Sequence, residues 1–119
     1  MKTKQELKEA YKQMKFTMGV FQIRNIVNGK IWIDSTVNID AAYNKNRMSL
    51  NLGSHLNDIL QEDWNKFGED SFCFELLSDL KEDENRVVDY KKEVKVLEAM
   101  YIDSLQPFGE RGYNKVKGS

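Results

Sequence analysis

Residues 19–34 read GVFQIRNIVNGKIWID, and this stretch decides the fold. Two apolar runs, Gly19 to Val27 and Lys30 to Asp34, flank Asn28-Gly29. An Asn-Gly pair in that setting is the strongest short-range hairpin signal, because the two-residue turn needs φ > 0 at both positions. Such a turn sets Val27 opposite Lys30, Asn25 opposite Trp32, Ile23 opposite Asp34 and Phe21 opposite Thr36. Side chains alternate across a strand, so Phe21, Ile23, Asn25, Trp32 and Asp34 share one face of the ribbon. Val20, Ile26, Ile31 and Ile33 share the other. That second face is the more uniformly apolar and is expected to face the core.

Outward from the hairpin, the pattern turns helical. Asn38 or Asp40 caps a helix to about Leu52, stopped by Gly53. A second helix is expected from His55 to Phe67, with Leu56, Ile59, Leu60 and Trp64 on one stripe and Gly68 as its stop. Ser71 to Leu77 reads as a third strand. A long helix from Asp83 to Leu105 follows, with Val87, Tyr90, Val94, Leu97, Tyr101 and Leu105 as its buried stripe. Upstream, Thr3-Lys4-Gln5-Glu6 has the form of a capping box ahead of Leu7, Ala10, Tyr11 and Met14. The expectation is an α+β domain over 17–119, a three-stranded antiparallel sheet flanked by helices, with a helical extension over 1–16. The narrow stripe of that extension either packs on the domain or forms a homodimer contact.

The 119 residues are 40% hydrophobic, enough for one domain with a real core. No run of eighteen or so apolar residues is present, and no membrane span is expected. Met1 to Glu6 is charged and lacks a leader's apolar segment. Cys73 is the only cysteine, which excludes an internal disulfide and suits a cytoplasmic setting. A net charge of -1 gives no global basic footprint for nucleic acid. Positive charge collects locally at Lys2, Lys4, Lys8, Lys12 and Lys15, and negative charge between Asp58 and Asp89. No Walker loop, zinc spacing, dinucleotide fingerprint or nucleophile triad is present.

Gly19-Val20-Phe21, then Trp32-Ile33-Asp34 about ten residues on, stand where two signature tripeptides would. Gly53-Ser54-His55-Leu56-Asn57, Trp64-Asn65-Lys66 and Phe67-Gly68-Glu69 follow. Leu97-Glu98 through Tyr101-Ile102 and a closing Gly112-Tyr113-Asn114 come after them. In this order and spacing the chain resembles the GIY-YIG nuclease family over residues 18 to 114. The resemblance implies phosphodiester cleavage with one divalent metal, Mg²⁺ or Mn²⁺, and nucleic acid as the partner.

Position by position, the implied site is altered. Phe21 takes the place of the GIY tyrosine and has no hydroxyl to relay a proton. Trp32 takes the second tyrosine's place; its indole N–H donates only, which suits a phosphate oxygen but not a base. Asp34 replaces the glycine of YIG. Ala42 falls where the family carries an arginine, and Arg47, about one turn on, is the candidate substitute for phosphate contact. Glu98 matches the metal-binding glutamate, with Asp34 as a candidate second carboxylate if the two approach. Asn114 matches the asparagine that organises the site. His55 reads as a helix-start or packing residue and Cys73 as a small buried hydrophobe. Two readings stay open: a metal-dependent nuclease with impaired or non-standard chemistry, or a catalytically inactive module that binds nucleic acid or a protein.

Overall fold

The computed structural model describes residues 16–116. The elements run β1 (Met18–Asn25), β2 (Ile31–Thr36), α1 (Ile39–Leu52), α2 (Asp58–Phe67), one 3-10 turn (Glu69–Ser71), β3 (Phe72–Leu80) and α3 (Tyr90–Leu105). The strands form one antiparallel sheet in the order β2-β1-β3. This is the expected α+β architecture. The expected N-terminal helix and its dimer contact lie outside the described residues. Among the described residues no helix is long and apolar enough to cross a membrane.

The hairpin turn is wider than two residues. The Asn25 N–H donates to the Lys30 carbonyl at 2.8 Å, and the Gly29 N–H to the Asn25 carbonyl at 2.8 Å, so residues 26–29 form the loop. Gly29 has φ +79° but Asn28 does not enter the left-handed region, and the mirror-image turn needs both. The Asn28 Oδ1 instead accepts the Lys30 N–H at 2.9 Å. The register therefore moves by two: Phe21 faces Asp34 and Ile23 faces Trp32. An even shift leaves every side chain on its expected face.

Which face carries the main core is the reverse of the expectation. Phe21, Ile23 and Trp32 join Leu50 of α1, Leu60 and Trp64 of α2, and Tyr113 in one buried cluster. The aliphatic face, with Val20 and Ile33, is buried as well, because α3 covers β1 and β2 there and contributes Val94. Ile26 is exposed in the loop. The polar members of the aromatic face misled the sequence reading. Asn25 is fully buried yet satisfied: its Nδ2 donates to the Tyr113 hydroxyl at 3.1 Å, and its Oδ1 accepts the Val27 N–H at 2.9 Å. A satisfied amide costs little to bury.

Caps set the helix ends. The Asn38 Oδ1 accepts the Ala41 N–H at 3.1 Å and Gly53 closes α1. α2 begins later than expected, because Asn57 caps it by accepting the Leu60 N–H at 2.9 Å; Leu56 thus precedes the helix and is exposed. α3 also begins late, behind an Asp89 cap that accepts the Lys92 N–H at 3.2 Å. Val87 is consequently outside the helix and fully exposed, and the buried stripe shrinks to Val94 with Tyr90, Leu97 and Tyr101 half-buried.

The tail returns along β2, the sheet's edge. The Tyr113 N–H donates to the Ile31 carbonyl at 2.8 Å, and the Ile31 N–H to the Arg111 carbonyl at 3.2 Å. The Asn114 side-chain amide continues this pairing as a peptide group would. It accepts the Ile33 N–H at 2.8 Å and donates to the Ile33 carbonyl at 2.9 Å. The open edge is thereby covered. A Cβ on Gly112 would lie 2.4 Å from the carbonyl oxygens of Ile31 and Pro107, so this approach requires glycine.

Candidate active site

β2 and α3 build the site. Asp34 and Ser35 are consecutive on β2 and project to opposite faces of the sheet. The Ser35 hydroxyl donates to Glu98 Oε1 at 2.8 Å from the α3 side. Lys95, one turn before Glu98, reaches around the edge strand. Its Nζ donates to Glu98 Oε1 at 3.1 Å and to Asp34 Oδ1 at 3.3 Å. The Lys95 side chain is 61% exposed and that of Glu98 17%. Burial, and hydrogen bonding with Asp34, push the Glu98 pKa up, against the opposing pull of Ser35 and Lys95. Burial draws the Lys95 pKa down, but the charge of Asp34 and the contacts with Glu98 outweigh it, and the net shift is upward. The ammonium thus stays charged and holds the two carboxylates together. Beside it, α3 and the tail frame an open cleft of about 340 Å³ whose walls include Lys95, Glu98, Ile102, Phe108 and Lys115.

The other candidate residues sit elsewhere. Phe21 is 0% exposed, stacked on Phe74 at 4.6 Å between ring centroids, with Trp32 edge-on at 6.1 Å. Trp32 is buried and meets the His55 ring edge-on at 4.9 Å. Ala42 packs on the core cluster. Arg47 is ion-paired with Glu69, and both line a pocket of about 60 Å³ walled by Trp64, Phe72 and Phe74. That pocket lies over β3, at the opposite edge of the sheet from β2. The structure therefore brings Asp34 and Glu98 together and leaves Asn114 one residue along β2 from Asp34, through Ile33. It does not bring Arg47 to them.

His55 is buried in a polar seam. Its Nε2 lies 2.7 Å from Asn46 Oδ1, and its Nδ1 accepts the Asn57 N–H at 3.0 Å. One nitrogen donates and the other accepts, which describes a neutral imidazole; burial lowers its pKa. The seam continues through Asn57, whose Nδ2 donates to the Tyr113 carbonyl at 2.7 Å, and ends at the Tyr113 hydroxyl, which donates to Asp63 Oδ2 at 2.7 Å. Burial, with Asp63 beside it, pushes the Tyr113 pKa up to about 12. Cys73 is half-buried in β3.

No family model and no curated protein matches the chain. Among solved structures, it is similar to the catalytic domain of the homing endonuclease I-TevI. That match has a TM-score of 0.68 at 24% identity, covering 84% of this chain and 99% of that one. The chain has the GIY-YIG nuclease fold. A mutant of the same I-TevI domain, with one glutamate replaced by alanine, matches with a TM-score of 0.70 at 22% identity, over 87% of this chain and 98% of that one.

Phe21 and Trp32, which the sequence resemblance sets at the two signature tyrosines, are both packed in the core. Sequence reasoning missed Lys95 and Ser35. Lys95 stands three residues before Glu98, a spacing that places both on one helix face, and this was the available signal; Ser35 had none. The divalent ion expected on a GIY-YIG fold meets an obstacle here. The Lys95 ammonium bridges the two carboxylates, 3.1 Å from Glu98 Oε1 and 3.3 Å from Asp34 Oδ1. As arranged, these donors do not fit such an ion.

Proposed function

We propose that this chain is a nuclease-fold module that engages nucleic acid without efficient phosphodiester hydrolysis. The observation that carries the reading is Phe21, sealed in the core with no exposed surface. Attack on a phosphodiester needs a group that takes or relays a proton from water. A buried phenyl ring offers no oxygen, and the Trp32 indole is donor-only. Removal of one such group commonly costs orders of magnitude in rate. What remains suits phosphate contact. Lys91 and Lys92 are exposed on the first half of α3, and Lys115, ion-paired with Asp58 at 3.1 Å, lines the cleft beside Glu98. A cytoplasmic setting belongs to the same proposal.

A second reading, slow cleavage at Glu98, is favoured by one observation: Asp34 and Glu98 converge on the same Nζ instead of lying apart. The test is fluorescence anisotropy with single-stranded DNA, duplex DNA and RNA, run beside cleavage assays in Mg²⁺ or Mn²⁺ for wild type and Glu98→Ala. The proposal expects binding that weakens steeply between about 50 and about 200 mM salt, with no cleavage by either protein. Cleavage lost in Glu98→Ala establishes the second reading. Absence of binding to all three probes overturns the nucleic-acid assignment.

A further inference from the structure

The two carboxylates at the end of β2 and on α3 need an explanation of their own. Two like charges converging at a partly buried point repel unless a cation joins them. The cation present belongs to the chain: the Lys95 Nζ stands 3.1 Å from Glu98 Oε1 and 3.3 Å from Asp34 Oδ1. No core packing fixes the lysine there, since most of its side chain is exposed. The two carboxylates hold it. Asp34 and Lys95 thus form a matched pair beside Glu98, one negative charge and one positive. An ammonium neutralises and donates hydrogen bonds, but it does not lower the pKa of a bound water as a divalent metal does.

We propose that Lys95 occupies, as a built-in ammonium, the place between Asp34 and Glu98 that a divalent cation would otherwise take, so that the site excludes such ions until the lysine is removed. With Lys95 the three ionised groups sum to one negative charge; without it the two carboxylates, Glu98 on the wall of the cleft and Asp34 beside it, sum to two. The inference concerns the same site as the proposed function but holds whether or not nucleic acid binds.

The test is titration of the full chain with Mn²⁺ alone, followed by electron paramagnetic resonance of the free ion. Lys95→Met keeps the exposed aliphatic stem and removes the charge. It is expected to bind one Mn²⁺ at least about tenfold more tightly than wild type, and Lys95→Met/Glu98→Gln is expected to lose that gain. Lys95→Arg keeps the charge and is expected to bind no better than wild type. Wild type binding as tightly as Lys95→Met overturns the proposal. So does Lys95→Met showing no gain over the double variant, or Lys95→Arg behaving as Lys95→Met does. No nucleic acid is present in the titration, so its failure is separate from failure of the anisotropy test.

Discussion

Placing a tyrosine at position 21 by Phe21→Tyr tests the central claim about this site. The new hydroxyl enters a cluster in which Phe21 has no exposed surface. Phe74 stacks on the ring at 4.6 Å and Trp32 stands edge-on at 6.1 Å. Ile23, Leu50, Leu60, Trp64 and Tyr113 complete the cluster, and the Tyr113 hydroxyl is committed to Asn25 and Asp63. An unpartnered buried hydroxyl costs about 1–3 kcal/mol, and forcing an extra atom into a packed core adds about 1 kcal/mol or more. The expected loss is therefore about 2–4 kcal/mol. For a domain of this size, at about 4 °C per kcal/mol, Tm falls by about 8–16 °C. Circular dichroism melts and urea titrations measure this, and plasmid cleavage in Mg²⁺ or Mn²⁺ is expected to remain absent. A Tm within about 2 °C of wild type refutes the reasoning, because the hydroxyl must then have found water or a partner. Cleavage gained by the variant refutes the proposed function as well.

Three further outcomes are expected. His55 is neutral in the fold and burial lowers its pKa from 6.5, so the unfolded chain takes up the proton first. Its stabilising contribution is complete above about pH 6.5 and is lost as pH falls below that value; melts across this window should show a slope that His55→Gln flattens. Tyr113→Phe leaves the buried Asn25 Nδ2 without its acceptor and should cost about 1–3 kcal/mol in urea unfolding; a loss under about 0.5 kcal/mol would show that the amide finds another partner. Asn114→Ala removes both bonds to Ile33 and should cost about 1–2 kcal/mol. It should also speed amide exchange at Ile33 while sparing Phe21 on the central strand; equal exchange at Ile33 in both proteins would deny the clasp.

Much of the fold was legible because its signals are local. Asn38 and Gly53 bracket α1 as read, and the alternation of β1 and β2 gives the correct faces. The two-residue turn was misread because Asn28 satisfies Lys30 through its side chain, a choice that composition does not announce. The late starts of α2 and α3 follow from Asn57 and Asp89, capping residues inside stretches whose apolar spacing continues upstream through Leu56 and Val87. The core face was misjudged because Asn25 looks polar in sequence, and only tertiary structure supplies its partners, Tyr113 from the far end of the chain among them. The same limit hid Lys95: its bond to Asp34 spans 61 positions.

Residues that match the family's motifs do not all speak for its chemistry. Gly112 is required by its closeness to the Ile31 and Pro107 carbonyls. A Cβ on Gly19 would meet the Ser78 carbonyl oxygen at 1.9 Å, so that motif glycine is explained by the pairing of β1 with β3. Tyr113 anchors Asn25, and Asn114 gives both ends of its amide to Ile33. Folding alone accounts for each of these identities. Glu98 differs. Its partners are Ser35, Lys95 and Asp34, none of which belongs to the core cluster, and burial makes its charge unfavourable. A carboxylate with no place in the core cluster, held beside a second carboxylate by a lysine, is not explained by folding alone. The proposals for this chain therefore turn on the three side chains of Asp34, Lys95 and Glu98, and the matching motifs around them report on the scaffold.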